Sequence, residues 1–496
     1  MVLNLERRDA DLLETVIIDP DATSTFTVPR PFRMFSDTAP APLAPVKGLG
    51  EIGPYDVNTS DPHLRRSFEK LEVIGAYPRH DLDILAPLTE LIGYLNQGYR
   101  AKGGSDINFT SFATIFRMTN CVFPPENEFL EYDLSDLEPF RVALISRATE
   151  VRSRGNGPLV LTAVRSHKTV TTTPEVYQPL KRLITRLDIP SQFLSDYESG
   201  ETGVLYQVAN GWSLGWALWN VALAIYTKLG GLPWAVSQSA KPEQQIDVTI
   251  GLRFARLTGE EKGFCLGVAT VLDRFGRLIG TVPLENMEYH KTLDTPVSGM
   301  TLSAESARRL VTGALDSVLL DPRTQTIMQA RGPLTLAFHK LGPGPFHHEE
   351  TEGVRQALAA KLRGRETKVA FVPISESETL AAFGPPSVGR AMQEGKSLRL
   401  TNDTALLYTM SSSDRTFLTP ITVKLQNYGE ADCAFKGIEE ACAHVQTLCG
   451  LHWQMVNTGK LKLPADLEFA QRIAKGFAND VQPKAGSPLW KTQWYL

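Results

Sequence analysis

Cysteine is scarce in this chain. Five residues in 496 (Cys121, Cys265, Cys433, Cys442 and Cys449) form no CxxC pair and are odd in number. A disulfide framework or a zinc ribbon is therefore excluded as an organising principle, and reduced structural thiols are expected. No run of 18 apolar residues occurs, so no membrane-spanning helix is expected. The N-terminus, MVLNLERRDADLLETV, lacks the apolar core of a signal peptide, which points to a cytoplasmic protein. Charge of one sign is missing too. Lys and Arg number 51 against 55 Asp and Glu, a formal net charge of −4, which excludes a uniformly basic nucleic-acid binder but leaves room for a local basic groove. There is no internal repeat and no low-complexity tract. What is present is a 42% hydrophobic composition, enough for a sizeable core. At roughly 150 residues per domain the length allows about three domains, with two or four within range.

Residues 1–65 read as a connector, interrupted by Pro29, Pro31, Pro40, Pro42, Pro45 and Pro54 and by Gly48, Gly50 and Gly53. From Phe68 the texture changes. FEKLEVIGAY predicts a strand, LDILAPLTELIGYLNQGY an amphipathic helix, and FRVALISRA a further strand or buried segment. PLVLTAV (158–164) is a buried strand. Thr173-Pro174-Glu175 then opens a helix with a cap, a first-turn proline and an early acid. IPSQFLS is a short extended piece, and GWSLGWALWNVALAIYTKLGG a long buried helix stopped by Gly230-Gly231. That alternation predicts an α/β fold with a parallel sheet. After Pro242 come a strand (IDVTIGLRFARL) and a hairpin turning at Asp273–Gly276. A helix opens at Ser303 and Glu305, GPLTLAFHKLG is a strand, and a helix follows near 352–362. KVAFVPIS, ALLYTM and ITVKLQN continue the sheet, and helices near 437–449 and 466–477 close the chain. This suits an RNase H-like unit, although periodicity does not separate it from other α/β folds.

Tyr177 and Lys181 lie four apart near a helix start, so they share one face. Gln192 follows in IPSQ, and Lys228 ends the long helix at KLGG. A helix N-terminus favours an anion, two lysines add charge, tyrosine can stack or donate, and glutamine supplies fixed donors. Together they would form a pocket for a terminal phosphate. Taken singly, a Tyr–Lys pair is a common solvated face and KLGG a common glycine cap. Elsewhere, His347-His348-Glu349-Glu350 has metal-ligand residue types, but adjacent residues at a helix start point in different directions, and a solvated cap is expected. Asp273-Arg274 reads as turn chemistry. Gly342-Pro343-Gly344-Pro345 lacks the lysine of a phosphate loop, and no GxSxG element or Cys–His dyad stands out.

The order YQPLK, IPSQ, NVALAIYTKLGGLPW resembles the phosphate-binding core of the Argonaute MID domain. The resemblance implies that Tyr177, Lys181, Gln192 and Lys228 hold the 5′-phosphate of a guide strand. It allows the Leu496 carboxylate to join them, with Mg²⁺ at the phosphate and no organic cofactor. Ala224 stands where some members carry a further polar residue. The second unit resembles a PIWI domain, whose RNase H-type carboxylates hold two divalent ions. IDVTIG supplies Asp247 for the first acid. LAFHKLG puts Leu341 at the second strand-borne acid, and LPADLEFAQRIA puts Gln471 at the last ligand. Leucine has no donor atom and a neutral glutamine replaces an acid, so the expected catalytic set is degenerate and no slicing is expected. Glu285 and Glu288 are candidates for the family glutamate, with surface roles as the alternative.

The implied architecture is a linker-like segment at residues 1–65, a Rossmann-like MID domain at 66–240 and an RNase H-like PIWI domain at 241–496. The length leaves no room for N-terminal and PAZ domains, as in short prokaryotic Argonautes. That resemblance implies a guide RNA in a groove between the two domains, a complementary single-stranded DNA target recognised without cutting, and defence against plasmids or phages. It also implies a heterodimer with an APAZ-containing protein carrying a TIR or SIR2 NAD-consuming domain or a nuclease. The alternative is a small Argonaute nuclease whose metal ligands lie elsewhere.

Overall fold

The computed structural model describes residues 2–5, 14–17, 25–28, 32–37, 40–41, 45–104, 106–164, 174–198, 201–211, 213–237, 246–256, 265–284, 289–291, 300–330, 332–342, 344–376, 380–383, 394–409, 420–451, 453, 456 and 462–495. The chain divides into two compact units. The first contains 34–234, 453–456 and 479–496; the second contains 1–33, 235–452 and 457–478. The sequence-based division at 65 and 240 differs from this. Residues 34–65 and the chain's last 18 pack into the first unit, and Thr25–Thr27 pairs as an edge strand in the second. Among the described residues no helix is long and apolar enough to cross a membrane.

The first unit is built on a five-stranded parallel sheet: β1 (Lys70–Pro78), β2 (Asn120–Val122), β3 (Leu130–Tyr132), β4 (Gly157–Val164) and β5 (Ser191–Ser195). The order is β5-β4-β1-β2, with β3 also pairing β1. Seven consecutive residues of β4 are buried, because both faces of a parallel sheet are covered and alternation disappears. The covering helices include α1 (Leu85–Gln97), α2 (Glu138–Ser153), α3 (Pro174–Arg186) and α4 (Leu214–Lys228). FRVALISRA, expected as a strand or buried segment, is the body of α2. Phe140, Leu144, Ala148 and Val151 bury a helical stripe, while Val142 and Ile145 face solvent and blur the pattern in the sequence.

The end of α4 is fixed by residues that the sequence suggested were only a connector. Asp56 is buried and accepts from Tyr226 Oη at 2.5 Å and from the Leu232 N–H at 2.7 Å. Arg66 Nη1 lies 3.3 Å from the same hydroxyl, and Phe116 stacks on the Tyr226 ring at 4.2 Å. Gly231 sits against that ring, where a Cβ would come within 2.3 Å of it.

The second unit carries a nine-stranded mixed sheet. Its strands are β6 (Val248–Arg256), β7 (Cys265–Asp273), β8 (Leu278–Leu284), β9 (Leu334–Leu341), β10 (Thr367–Glu376), β11 (Lys396–Arg399), β12 (Thr404–Leu407) and β13 (Ile421–Lys424), plus Thr25–Thr27. The order is β8-β7-β6-β9-β10-β13-β12-β11, with Thr25–Thr27 at the edge. β6, β9 and β10 run parallel, and the flanking pairs are antiparallel. Side chains alternate across the sheet. Val248, Ile250, Leu252 and Phe254 pack under α5 (Ala304–Leu320) and α6 (His348–Lys361). Ala337 and Leu341 lie on the other face with α7 (Ile438–Cys449) and α8 (Ala465–Ala478).

Gly251 is where α8 comes nearest β6. A Cβ there would lie 2.7 Å from Asp466 Oδ2 and 2.8 Å from the Asp466 carbonyl carbon. Gly251→Ala should therefore destabilise the protein by about 1–3 kcal/mol through overpacking, read as a lower midpoint in chemical unfolding. Gly50→Ala, which meets nothing within 4 Å, is the control.

Candidate functional site

In the first unit, β5 follows α3 through Ile189-Pro190, and the α4 helix ends close beside it. Lys181, one turn past Tyr177 on α3, donates from Nζ to the Trp494 carbonyl at 2.8 Å and to Ser191 Oγ at 3.3 Å. Lys228, the last residue of α4, donates to the Ser191 carbonyl and to Gln192 Oε1, both at 2.7 Å. Gln192 Nε2 is tied to the Phe193 carbonyl at 2.9 Å, which fixes the direction of its amide. The Tyr177 ring lies 5.1 Å from that of Phe193, and the same Phe193 ring is 5.3 Å from Lys181 Nζ. The four residues singled out in the sequence thus gather around one strand.

Both ammonium groups are inside the protein: Lys181 is 7% exposed and Lys228 1%. Among the described residues no carboxylate accepts from either. Burial pushes Lys181 down to about 7. Lys228 lies well below its usual range, through burial first and the nearby Lys181 charge second. Buried charge without an opposite charge is costly, and among the described residues none is supplied, so an anion would complement this pair.

Sequence reasoning missed Ser191, Phe193 and the Trp494 carbonyl. The expected contribution of the chain end was the Leu496 carboxylate, and Leu496 lies outside the described residues. Gln493, adjacent to Trp494, is buried with neither amide atom hydrogen-bonded. The described pocket contains no carboxylate, and Ala224 contributes only its carbonyl, to Thr227 Oγ1. The carboxylate on which the Mg²⁺ expectation rests, that of Leu496, is outside the described residues.

In the second unit the three positions expected at a nuclease centre do not share one place. Asp247 precedes β6 and is saturated there. Its Oδ2 accepts from Thr335 N and Oγ1, both at 2.9 Å, and its Oδ1 from Arg274 Nη2 at 2.8 Å. Thr335 begins β9, whereas Leu341 ends it. Six residues of strand, roughly 20 Å, separate Asp247 from Leu341. The register runs to the pair Leu252–Lys340, and Arg253 and Leu341 are the next residues of the two strands. Gln471 is on α8, one and a half turns past Asp466. Glu285 and Glu288 lie outside the described residues. The acid that does enter this layer is Asp466, fully buried with Oδ2 2.9 Å from His339 Nδ1. His444 completes the layer, with Nε2 3.0 Å from Thr249 Oγ1 and its ring 5.3 Å from that of His339. Burial, then the neighbouring His339, holds His444 well below its usual range.

No protein-family model matches the chain, and no curated protein is similar to it. Solved structures are similar. The Argonaute of Clostridium butyricum bound to a guide DNA and a 19-mer target DNA matches with a TM-score of 0.65 at 18% identity, over 96% of this chain and 56% of that one. Aa-Ago with externally bound siRNA matches at 0.57 and 15% identity, over 95% and 56%. Aquifex aeolicus Argonaute matches at 0.53 and 15%, over 87% and 52%. The chain has an Argonaute-type MID–PIWI fold. It spans about half the length of the solved chains it matches.

The first unit is MID-like and the second PIWI-like, and two minor expectations resolve within the PIWI-like unit. Asp273 is turn chemistry, accepting from the N–H groups of Phe275 and Arg277, both at 2.9 Å, while Arg274 instead holds Asp247. His347 caps α6 and its N–H donates to Glu350 Oε2 at 2.7 Å. Contrary to expectation, the side chains of His347, His348 and Glu349 turn toward one another, with ligand atoms within 4.8 Å.

The two lysines of the MID-like pocket set a pH dependence. Lys181 titrates at 10.5 when unfolded and about 7 when folded. Between those values the unfolded chain binds more protons, so stability rises with pH from about 7 to 10.5 and is lost again as pH falls toward 7. An anion restores the lysine's proton. Binding of a phosphate-bearing ligand at pH 8 should therefore take up protons, seen as a buffer-dependent heat in titration calorimetry between phosphate-free buffers of different ionisation enthalpy.

Proposed function

We propose that the chain binds a guide strand by its 5′-phosphate and uses it to recognise a complementary strand without cutting it. One observation carries this reading: two buried ammonium groups converge on Ser191 with no carboxylate to balance them among the described residues. A terminal phosphate supplies the missing charge and accepts from both Nζ groups. Gln192 offers an amide beside it, and Tyr177 with Phe193 offers ring faces for the first nucleotide. Specificity then comes from base pairing, and the protein contributes charge and shape.

Absence of cutting is supported by side-chain chemistry. Arg253 and Leu341 follow the last registered pair of β6 and β9, Gln471 is neutral, and Asp247 is held at the opposite end of the strand pair by Thr335 and Arg274. These residues do not fit a two-metal centre. The similarity to solved Argonautes supports the fold on which this reading rests. With it go the finer proposals: a short, PAZ-lacking type, an RNA guide with a single-stranded DNA target, a cytoplasmic setting, and signalling to an APAZ-containing effector in defence against plasmids or phages.

The decisive experiment measures binding of 5′-phosphorylated and 5′-hydroxyl guides of the same sequence. The phosphorylated guide should bind more tightly by on the order of 100-fold, and Lys181→Ala with Lys228→Ala should abolish that difference. Equal affinity for the two guides would refute the phosphate reading. Incubating the guide-loaded protein with labelled target and Mg²⁺ or Mn²⁺ should leave the target intact; a cut product would restore the nuclease alternative.

A further inference from the structure

Arg253 stands on the face of β6 that carries Thr249 and Gly251, one residue past the last registered pair of β6 and β9, as Leu341 is on β9. Leu341 is the last residue of β9, and the next residue, Gly342, bonds by its N–H to the Ile374 carbonyl of β10 at 3.0 Å. β10 in turn ends at Glu376. Three parallel strands therefore bring Arg253, Leu341 and Glu376 toward one edge, and ligands of open α/β sheets bind beyond the carboxyl ends of such strands.

The guanidinium of Arg253 is half-buried, and among the described residues it makes no hydrogen bond and no ion pair. Its electrostatic neighbour is Glu376, whose carboxylate lies 3.3 Å from Lys462 Nζ and so is already shared. Other shielded arginines of the same unit are matched. Arg274, Arg277, Arg323 and Arg472 each hold a carboxylate at 3.1 Å or less. Burial lowers the pKa of Arg253, the direction expected of a cation whose partner comes from outside. Leu341 beside it adds no charge. The guanidinium fork matches two oxygens of a phosphodiester.

We infer that Arg253 grips a backbone phosphodiester of nucleic acid bound at the carboxyl edge of β6 and β9. The inference rests on the guide-binding reading above, and the strand that supplies the phosphate is either guide or target. Two titrations separate these sources: guide onto protein, then complementary target onto the guide-loaded protein, each at several salt concentrations. Arg253→Ala should weaken one of the two on the order of tenfold and lower its salt slope by ~0.7–0.9, the value of one phosphate contact. Arg253→Lys should recover the slope more fully than the affinity. The thermal midpoint of Arg253→Met should not fall, because the arginine has no partner to lose, so weaker binding would not reflect unfolding. Unchanged titrations for Arg253→Ala in a wild-type background that does bind guide would overturn this inference alone. Failure of wild-type protein to bind any guide would overturn the guide-binding reading and this one together.

Discussion

The MID-like unit is organised around a charge problem. Two ammonium groups are held at the same residue, Ser191, one by its hydroxyl and one by its carbonyl, and among the described residues their acceptors are all neutral. Repulsion and desolvation both oppose that arrangement. It persists because each lysine leaves a rigid support. Lys228 ends a helix whose body is buried almost all round, and the Asp56–Tyr226–Leu232 bonds lock the turn after it. Lys181 is fixed by α3 below and by the returning chain end above, through Trp494. β5 lies in parallel register with the fully buried β4, so Ser191 and Gln192 cannot move away. A site strained by uncompensated charge and unable to relax is preorganised for an anion.

Much of this was legible in the sequence, and the failures have physical causes. The strands and helices around the pocket carry strong local signals: a continuous apolar run for β4, a proline-opened start for α3 and a glycine stop after α4. Tyr177, Lys181, Gln192 and Lys228 are singled out by the resemblance of their order to the Argonaute MID core, since taken singly the Tyr–Lys pair reads as a solvated face and KLGG as a glycine cap. Ser191 and the Trp494 carbonyl could not be selected. One contributes through its backbone as much as its side chain, and the other returns from more than 300 residues away. The role of residues 45–66 was hidden for a similar reason, since a buried Asp56 looks like any loop aspartate until its partners Tyr226 and Leu232 are known.

Asp247 shows the limit of motif reading within a sheet. Asp-Val-Thr at a strand start has the right residue types, but the place of an acid relative to another strand depends on register, which no local pattern states. Here the register runs from Val248–Leu336 to Leu252–Lys340, so Asp247 comes just before the start of the pairing, bonded to Thr335, and Arg253 just after its end. A six-residue difference along β6 exchanges an acid for a base.

The same face of β6 shows why that exchange is tolerated. Thr249 bonds His444, Gly251 makes room for Asp466, and Asp466 Oδ2 lies 2.9 Å from His339 Nδ1, so the charged and polar groups of this layer face one another out of contact with water. A buried carboxylate committed to histidine is not available two residues farther along to neutralise an arginine or to hold a metal. Arg253 is therefore left as a charge at the rim of a closed network, on the side where the parallel strands end. On the reading proposed above, a surface of this kind attracts a backbone phosphate.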